Sequence, residues 1–247
     1  MKLGIMQPYF FPYAQQLRHI NQCDNWIIFD TPKFSRKSWV TRNRVANKDT
    51  VWGYISVPVV KGASQLSISK ALISSADWQK KLLDSLKCYK SAAPYYMETL
   101  NFIESCIYDG STSVADLNFN IIKKLCVYLD IDTKVQQLSH MDLCLPETAA
   151  PDEWACHISK ALGASTYSNA PGGRHLFDAD YYAKNNVTLE FYQSIPLEYP
   201  TPGFMFEPGL SIIDSLMWMG SSALSDWCHD EPFVPVPGGR KMVQSTD

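Results

Sequence analysis

The residues best able to do chemistry open the chain. Met6-Gln7-Pro8-Tyr9-Phe10-Phe11-Pro12-Tyr13 sets one carboxamide and two phenols on a segment stiffened by two prolines. Each proline fixes φ near about −65° and removes a backbone donor. Each also pushes the residue before it, Gln7 and Phe11, towards extended geometry. Such a segment either faces a ligand or plugs the first helix onto a sheet. Next comes a cationic run with an aromatic inside it: Lys33, Arg36, Lys37, Trp39, Arg42, Asn43 and Arg44. Cations beside an aromatic can hold a phosphate and stack a base or sugar. The same run also suits a solvated edge that discourages strand aggregation. Asp30 ends an apolar run; it can act as a base, orient an amine, or pair with Lys37 or Arg42. In Asn169-Ala170-Pro171-Gly172-Gly173-Arg174-His175, two glycines permit close approach of backbone to a ligand. Arg174 adds charge there, and His175 adds a group that titrates near neutrality. Glu207-Pro208-Gly209-Leu210-Ser211 reads as a helix start whose free N–H groups can bind an anion, or whose Ser211 or Asp214 caps the helix.

These groups need elements to position them. Residues 1–7 read as a strand, Tyr13–Cys23 as a helix, and Asn25–Asp30 as a second apolar strand. Thr31–Asn47 reads as a loop or short strand, Val51–Val60 as a strand, and Gln65–Ala71 as a segment that pairs back. Apolar spacing predicts helices over Asp77–Tyr89 and Tyr95–Tyr108. Ser113 and Asp116 form the pattern of a capping box opening a third helix to about Leu129. Strands then alternate with helices: Lys134–Ser139, Pro151–Leu162, Ser165–Ser168, Asp178–Lys184, Val187–Tyr192, and a last helix over Leu210–Met219 closed by Gly220. The alternation predicts an α/β fold: a mostly parallel open sheet with flanking helices. The expectation is one domain over 1–230, with a helical insertion or cap at about 75–130 and a loosely ordered tail at 231–247. The first crest and the cationic run both follow carboxyl ends of strands, where open sheets place ligands.

Composition narrows the function. Of 247 residues, 46% are hydrophobic and 19% charged, with a net charge of −3. That balance argues against a dedicated nucleic-acid binder. No run approaches the ~18 apolar residues of a membrane span, and no secretory signal opens the chain, so a soluble cytoplasmic protein is expected. The 7 cysteines form no CxxC pair and suit reduced, buried thiols. No metal-ligand spacing is present. The dinucleotide fingerprint, the P-loop and the nucleophile elbow are also absent.

Taken in order, Gln7 to Tyr13, Asp30, Lys37-Ser38-Trp39, Arg42-Asn43-Arg44, Pro171-Gly172-Gly173 and Pro208 to Asp214 make the chain similar to the WbqC-like protein family, from residue 1 to about Gly220. That resemblance implies a role in making or decorating an amino sugar of O-antigen or another surface polysaccharide. The leading expectation is an N-acyl or aminoacyl transferase, for instance glycyl, acting on the amine of a nucleotide-linked sugar. Its donor is a thioester, with an acyl carrier protein as the possible partner and no cofactor of its own. Asp30 or His175 then accepts the proton, Gln7 steadies the oxyanion, Lys37, Arg42 and Arg44 hold the diphosphate, and Tyr9, Tyr13 and Trp39 stack on sugar or base. Asn43, Gly172, Gly173 and Arg174 complete the expected binding set. Nucleotidyl transfer and a non-catalytic nucleotide-sugar-binding module are the alternatives.

Overall fold

Side chains of Lys2-Leu3-Gly4-Ile5-Met6 alternate between two faces, as extended backbone requires, and beyond Lys2 neither face carries a polar side chain. A strand of this kind needs cover on both sides. The computed structural model describes residues 1–74 and 77–230 and shows that cover. In chain order the elements are β1 (Lys2–Met6), α1 (Ala14–Asn21), β2 (Asn25–Ile28), β3 (Arg42–Asn47), β4 (Val51–Ser56), α2 (Trp78–Ser85), α3 (Tyr96–Ile107), α4 (Val114–Tyr128), β5 (Lys134–Gln137), α5 (Trp154–Ala161), β6 (Thr166–Asn169), α6 (Ala179–Lys184), β7 (Thr188–Phe191) and α7 (Ile212–His229).

Five strands form a parallel sheet in the order β5-β2-β1-β6-β7. The expected α/β architecture with flanking helices is therefore present. Leu3, Ile5 and Ile27 bury against Cys156 and Ile158 of α5 and Tyr182 of α6. Trp26 and Ile28 bury on the other face with Leu17 and Ile20 of α1, Ile121 and Leu125 of α4, and Leu216 of α7. The middle helices join this second layer: α4 packs against β5 and α3, and α3 packs against α7. Residues 75–76 of the expected insertion, and the tail 231–247, lie outside the described residues.

Local signals act as the chemistry requires. Ser113 Oγ accepts from Asp116 N at 3.0 Å, the expected N-cap, while the return bond to Asp116 Oδ2, at 2.7 Å, runs from the Ser113 hydroxyl rather than from its backbone N–H as in a full capping box. Gly220 does not end α7. It breaks the helix at φ 74°, and the chain resumes helical form to His229. A Cβ at Gly220 would lie 2.7 Å from the Tyr95 ring, so the break also makes room for an aromatic. The far half is retained by Arg18 of α1, fully buried, which donates to the carbonyls of Trp227 and Asp230. A cation at a helix carboxyl end is favourable.

One expectation is sharpened and one changes. The Thr31–Asn47 stretch supplies β3, which pairs antiparallel with β4 as a hairpin outside the main sheet, Arg44 opposite Tyr54. Gln65–Ala71 forms short 3-10 turns rather than a paired strand. Its donors go elsewhere: Ile68 N–H to Pro32 O at 2.9 Å and Ser69 N–H to Asp30 O at 2.8 Å. In the main sheet β2 lies on one side of β1 and β6 on the other. The winding reverses between β1 and β6, and a crevice is expected beyond their carboxyl ends.

Candidate ligand-binding site

The crest that follows β1 is held by donors from three other segments and donates to a fourth. Asn118 of α4 donates to Pro8 O and Val40 O, each at 2.8 Å. Phe10 N–H donates to Trp39 O at 2.8 Å. Asn43 of β3 donates to Phe10 O at 3.1 Å and Phe11 O at 2.7 Å. The Ser211 hydroxyl donates to Phe11 O at 2.7 Å, and Ile212 N–H to Pro12 O at 2.8 Å. Phe11 is not extended, as the following proline predicts, but sits at φ 40°. Left-handed backbone at a bulky residue costs about 1–3 kcal/mol and persists only where its surroundings over-determine it. Here two donors fix the Phe11 carbonyl, and both Phe10 and Phe11 rings are fully buried.

The crest forms one wall of a cavity of about 810 Å³ at the β1/β6 crevice. Gln7, Tyr9 and Tyr13 come from the crest, Gln15, Gln16 and His19 from α1, and Asn169 to Gly173 from the last residue of β6 and the segment after it. Tyr192, Tyr199, Phe206 and Ser215 close the side supplied by the carboxyl-terminal third. Among the described residues, no Lys, Arg, Asp or Glu lines it. Burial raises the pKa of Tyr9 and of Tyr13, and at Tyr13 the neighbouring Tyr9 adds to the rise. Both phenols are therefore neutral donors at pH 7. Burial, helped by the charge of Lys2, lowers the His19 pKa to about 3, so its ring is neutral too. His19 Nε2 lies 2.9 Å from Ser168 Oγ, and the ring stacks on Tyr192 at 4.7 Å. Gln16 is 2% exposed, and neither its Nε2 nor its Oε1 has a partner among the described residues. A buried carboxamide without partners is costly unless something completes it.

Of the residues given catalytic or binding roles from the sequence, the structure brings together five: Gln7, Tyr9, Tyr13, Gly172 and Gly173. The diglycine segment is a 3-10 helix, Pro171–Leu176, rather than a plain turn. At Gly173 a Cβ would lie 2.6 Å from Asn169 Nδ2, so a larger residue would push the Asn169 carboxamide aside. Arg174 and His175 are exposed on the same segment, with Arg174 stacked 4.7 Å over Phe191.

The cationic run is not in the cavity wall. Alternation along β3 turns Asn43 inward and leaves Arg42 and Arg44 half-buried on the other face. Asn43 is thereby a clamp on the crest. Arg42 stacks 4.3 Å over Tyr54 and donates to Lys37 O at 3.1 Å. Arg44 lies 5.0 Å from Trp52 and 5.8 Å from Trp39, and meets Glu207 at 3.4 Å and the carbonyl of Gly209 at 3.4 Å. Gly209 lines the cavity, so Arg44 stands at its rim. Lys37 and Trp39 are exposed. Asp30 is fully buried outside the cavity wall. It accepts from Gln137 Nε2 at 3.0 Å, Ser139 N at 2.9 Å and Ser139 Oγ at 2.5 Å, tying the end of β2 to that of β5. Neither Lys37 nor Arg42 pairs with it among the described residues. The α7 start is closed to anions as well: Ile213 N–H goes to Ser211 Oγ at 3.3 Å and Asp214 N–H to Ser211 O at 2.9 Å.

Sequence reasoning missed Gln15, Gln16, His19, Tyr192, Tyr199 and Ser215. One signal was available. Gln16 and His19 fall beside Leu17 and Ile20 on the inward side of an amphipathic helix, where polar residues need a reason.

An uncharged crevice at a sheet's switch point, walled by phenols and carboxamides, is the candidate ligand site of this α/β protein. The chain belongs to the WbqC-like protein family, whose model matches residues 7–226. It is also 25% identical over 225 residues to an uncharacterized protein of Mycobacterium tuberculosis, covering 90% of this chain and 95% of that one. No solved structure matches the chain significantly. Among the described residues, no helix is long and apolar enough to cross a membrane.

Proposed function

We propose that this protein binds a nucleotide-linked amino sugar in the β1/β6 cavity and transfers an acyl or aminoacyl group, such as glycyl, to the sugar amine. The observation carrying this reading is the cavity itself. It falls within the size range of small-ligand clefts, about 300–1,000 Å³. Its wall offers aromatic faces, phenols and carboxamides without formal charge, a lining suited to a hydroxylated ring. The cations stand outside it: Arg44 touches the rim at Gly209, and Arg174 follows Gly173. In this reading they meet the diphosphate while the sugar enters.

The reaction needs no covalent protein intermediate. The neutral amine attacks the acyl carbon of a thioester, the new C–N bond forms and the C–S bond breaks. The departing thiolate takes up the proton that the amine gives up. Gln7 is assigned to the oxyanion, and His175, exposed beside the diglycine wall, to proton transfer at the mouth. The donor is carried by an acidic carrier protein that docks on exposed Lys33, Arg36 and Lys37. We place this work in the cytoplasm, where buried thiols such as Cys106 and Cys126 stay reduced, and in surface-polysaccharide assembly of the O-antigen type.

Calorimetric titration with UDP- and dTDP-linked amino sugars tests the binding step. Incubation with acyl- and glycyl-thioester donors, read by loss of the free amine, tests the transfer. Micromolar binding followed by N-acylation is the expected result. Release of pyrophosphate from a nucleoside triphosphate would favour nucleotidyl transfer instead. Tight binding with no product from any donor would favour a non-catalytic module.

A further inference from the structure

Asp214 lies in the first turn of α7, 1% exposed, and among the described residues no Lys, Arg or His pairs with it. A carboxylate buried without a counter-ion is costly unless other groups stabilise it. Two phenols do so in part: Tyr89 Oη donates to Oδ1 and Tyr199 Oη to Oδ2, the latter at 2.7 Å. They are not equivalent. Tyr89 is fully buried, and its oxygen also accepts from Ala46 N–H at 2.7 Å, so that side is closed. Tyr199 lines the cavity, and its oxygen lies 3.2 Å from the hydroxyl oxygen of Ser215, another residue of the wall. A carboxylate lacking a cation thus stands one phenol behind an otherwise uncharged cavity. A protonated primary amine is the group that supplies both what is missing: positive charge for Asp214, and N–H donors for two neighbouring hydroxyl oxygens.

We infer that Tyr199 and Ser215 form the seat of the substrate's primary amine, with Asp214 behind them as a positioning residue. This rests on the amino-sugar reading above and locates the amine within that site. On entry the ammonium donates to Tyr199 Oη. A proton then passes from nitrogen to Tyr199 Oη as the Tyr199 proton passes to Asp214 Oδ2. What remains is a neutral amine, a neutral phenol and a protonated carboxyl. Burial raises the Asp214 pKa and so assists this last state, although the phenol hydrogen bonds work against it. Asp214 also ties Tyr89 to α7, a purely structural task that predicts no preference among ligands.

The decisive comparison is between matched ligands, by calorimetry on the full chain: UDP-glucosamine against UDP-N-acetylglucosamine, and a dTDP-linked 4-amino sugar against its N-acetyl form. For at least one pair, the free amine is expected to bind about tenfold more tightly. Tyr199→Phe keeps the ring and should abolish that preference, the free-amine and N-acetyl ligands then binding within about twofold of each other. Asp214→Asn should do the same, with thermal unfolding checking that each variant is folded. An unchanged amine preference in folded Tyr199→Phe overturns the inference, as does a wild type that shows no preference for the free amine in either pair. If wild type binds no nucleotide sugar, the nucleotide reading fails by itself. Glucosamine against glucose, followed by chemical-shift changes of the Tyr199 ring, then decides the amine seat, and equal or absent shifts overturn it.

Discussion

The β3–β4 hairpin and the crest after β1 are both rich in aromatic residues, yet their polar groups are used in opposite ways. In the hairpin the cations are largely engaged, Arg42 on Tyr54 and Arg44 among Trp39, Trp52 and Glu207, although the Nε of each is buried without a partner among the described residues. In the crest and the adjoining turn of α1, Gln7, Tyr9, Tyr13 and Gln16 make no side-chain hydrogen bond among the described residues. The lesson is that conspicuous charge is a poor guide to a ligand here. Gln16, buried on the cavity wall with both carboxamide atoms unpartnered, is the better one, because a buried unmade bond facing a cavity is one a ligand can make.

That contrast can be broken at its hinge, Asn43, which belongs to the hairpin and clamps the crest. Asn43→Leu removes the donors to Phe10 O and Phe11 O and the acceptor of Arg44 N–H. The expected loss is about 2–4 kcal/mol in urea unfolding, together with loss of nucleotide-sugar binding. A loss under about 1 kcal/mol would mean that the crest holds its shape unaided.

His19 provides the next largest effect. Its pKa of about 3 in the folded protein lies below the unfolded value, so the unfolded chain binds more protons between the two. The stability it contributes is complete above about pH 6.5 and falls as pH drops towards 3. From pH 7 to pH 5 that amounts to about 2 kcal/mol. Urea midpoints of wild type at the two pH values should differ accordingly, and those of His19→Gln should differ less.

Gln16 sharpens the comparison by reversing the sign. Gln16→Met keeps the length and removes two unpartnered atoms, so the free protein should melt about 2–4 °C higher. Its affinity for the nucleotide sugar should fall about tenfold. A lower melting temperature would show that Gln16 is a structural residue after all.

The smallest effect belongs to the exposed cations. Replacing Arg36 and Lys37 by Ala should leave the urea midpoint and the affinity for nucleotide sugar unchanged. Transfer from a carrier-bound donor should slow at low ionic strength, and the difference should vanish as salt screens the charges. Equal rates at low salt would remove the carrier from this surface.

Much of the scaffold was legible beforehand because its causes are local. The strand and helix periods, the Ser113–Asp116 cap and the alternation that sets Asn43 opposite Arg42 and Arg44 each depend on residues within a few positions of one another. The candidate site was legible only in part. Gln7, Tyr9, Tyr13 and the diglycine segment stand out by type and by their place after strands. Asp30 looked equally exposed to chemistry, yet Gln137 and Ser139, 107 and 109 residues away, take up its oxygens. The positive φ at Phe11 opposes the local preference set by Pro12 and is held by Asn43 and Ser211, the latter 200 residues away.

The amino-acid sequence by itself determined the elements, their order and the stiff aromatic crest, since backbone preference and apolar period act over a single turn or strand. Only the tertiary structure decided that β6 would arrive beside β1, opening the cavity there, and which polar side chains would be completed by distant partners and which left waiting. Burial and hydrogen bonding depend on segments brought together across the whole fold, and no local pattern records that meeting.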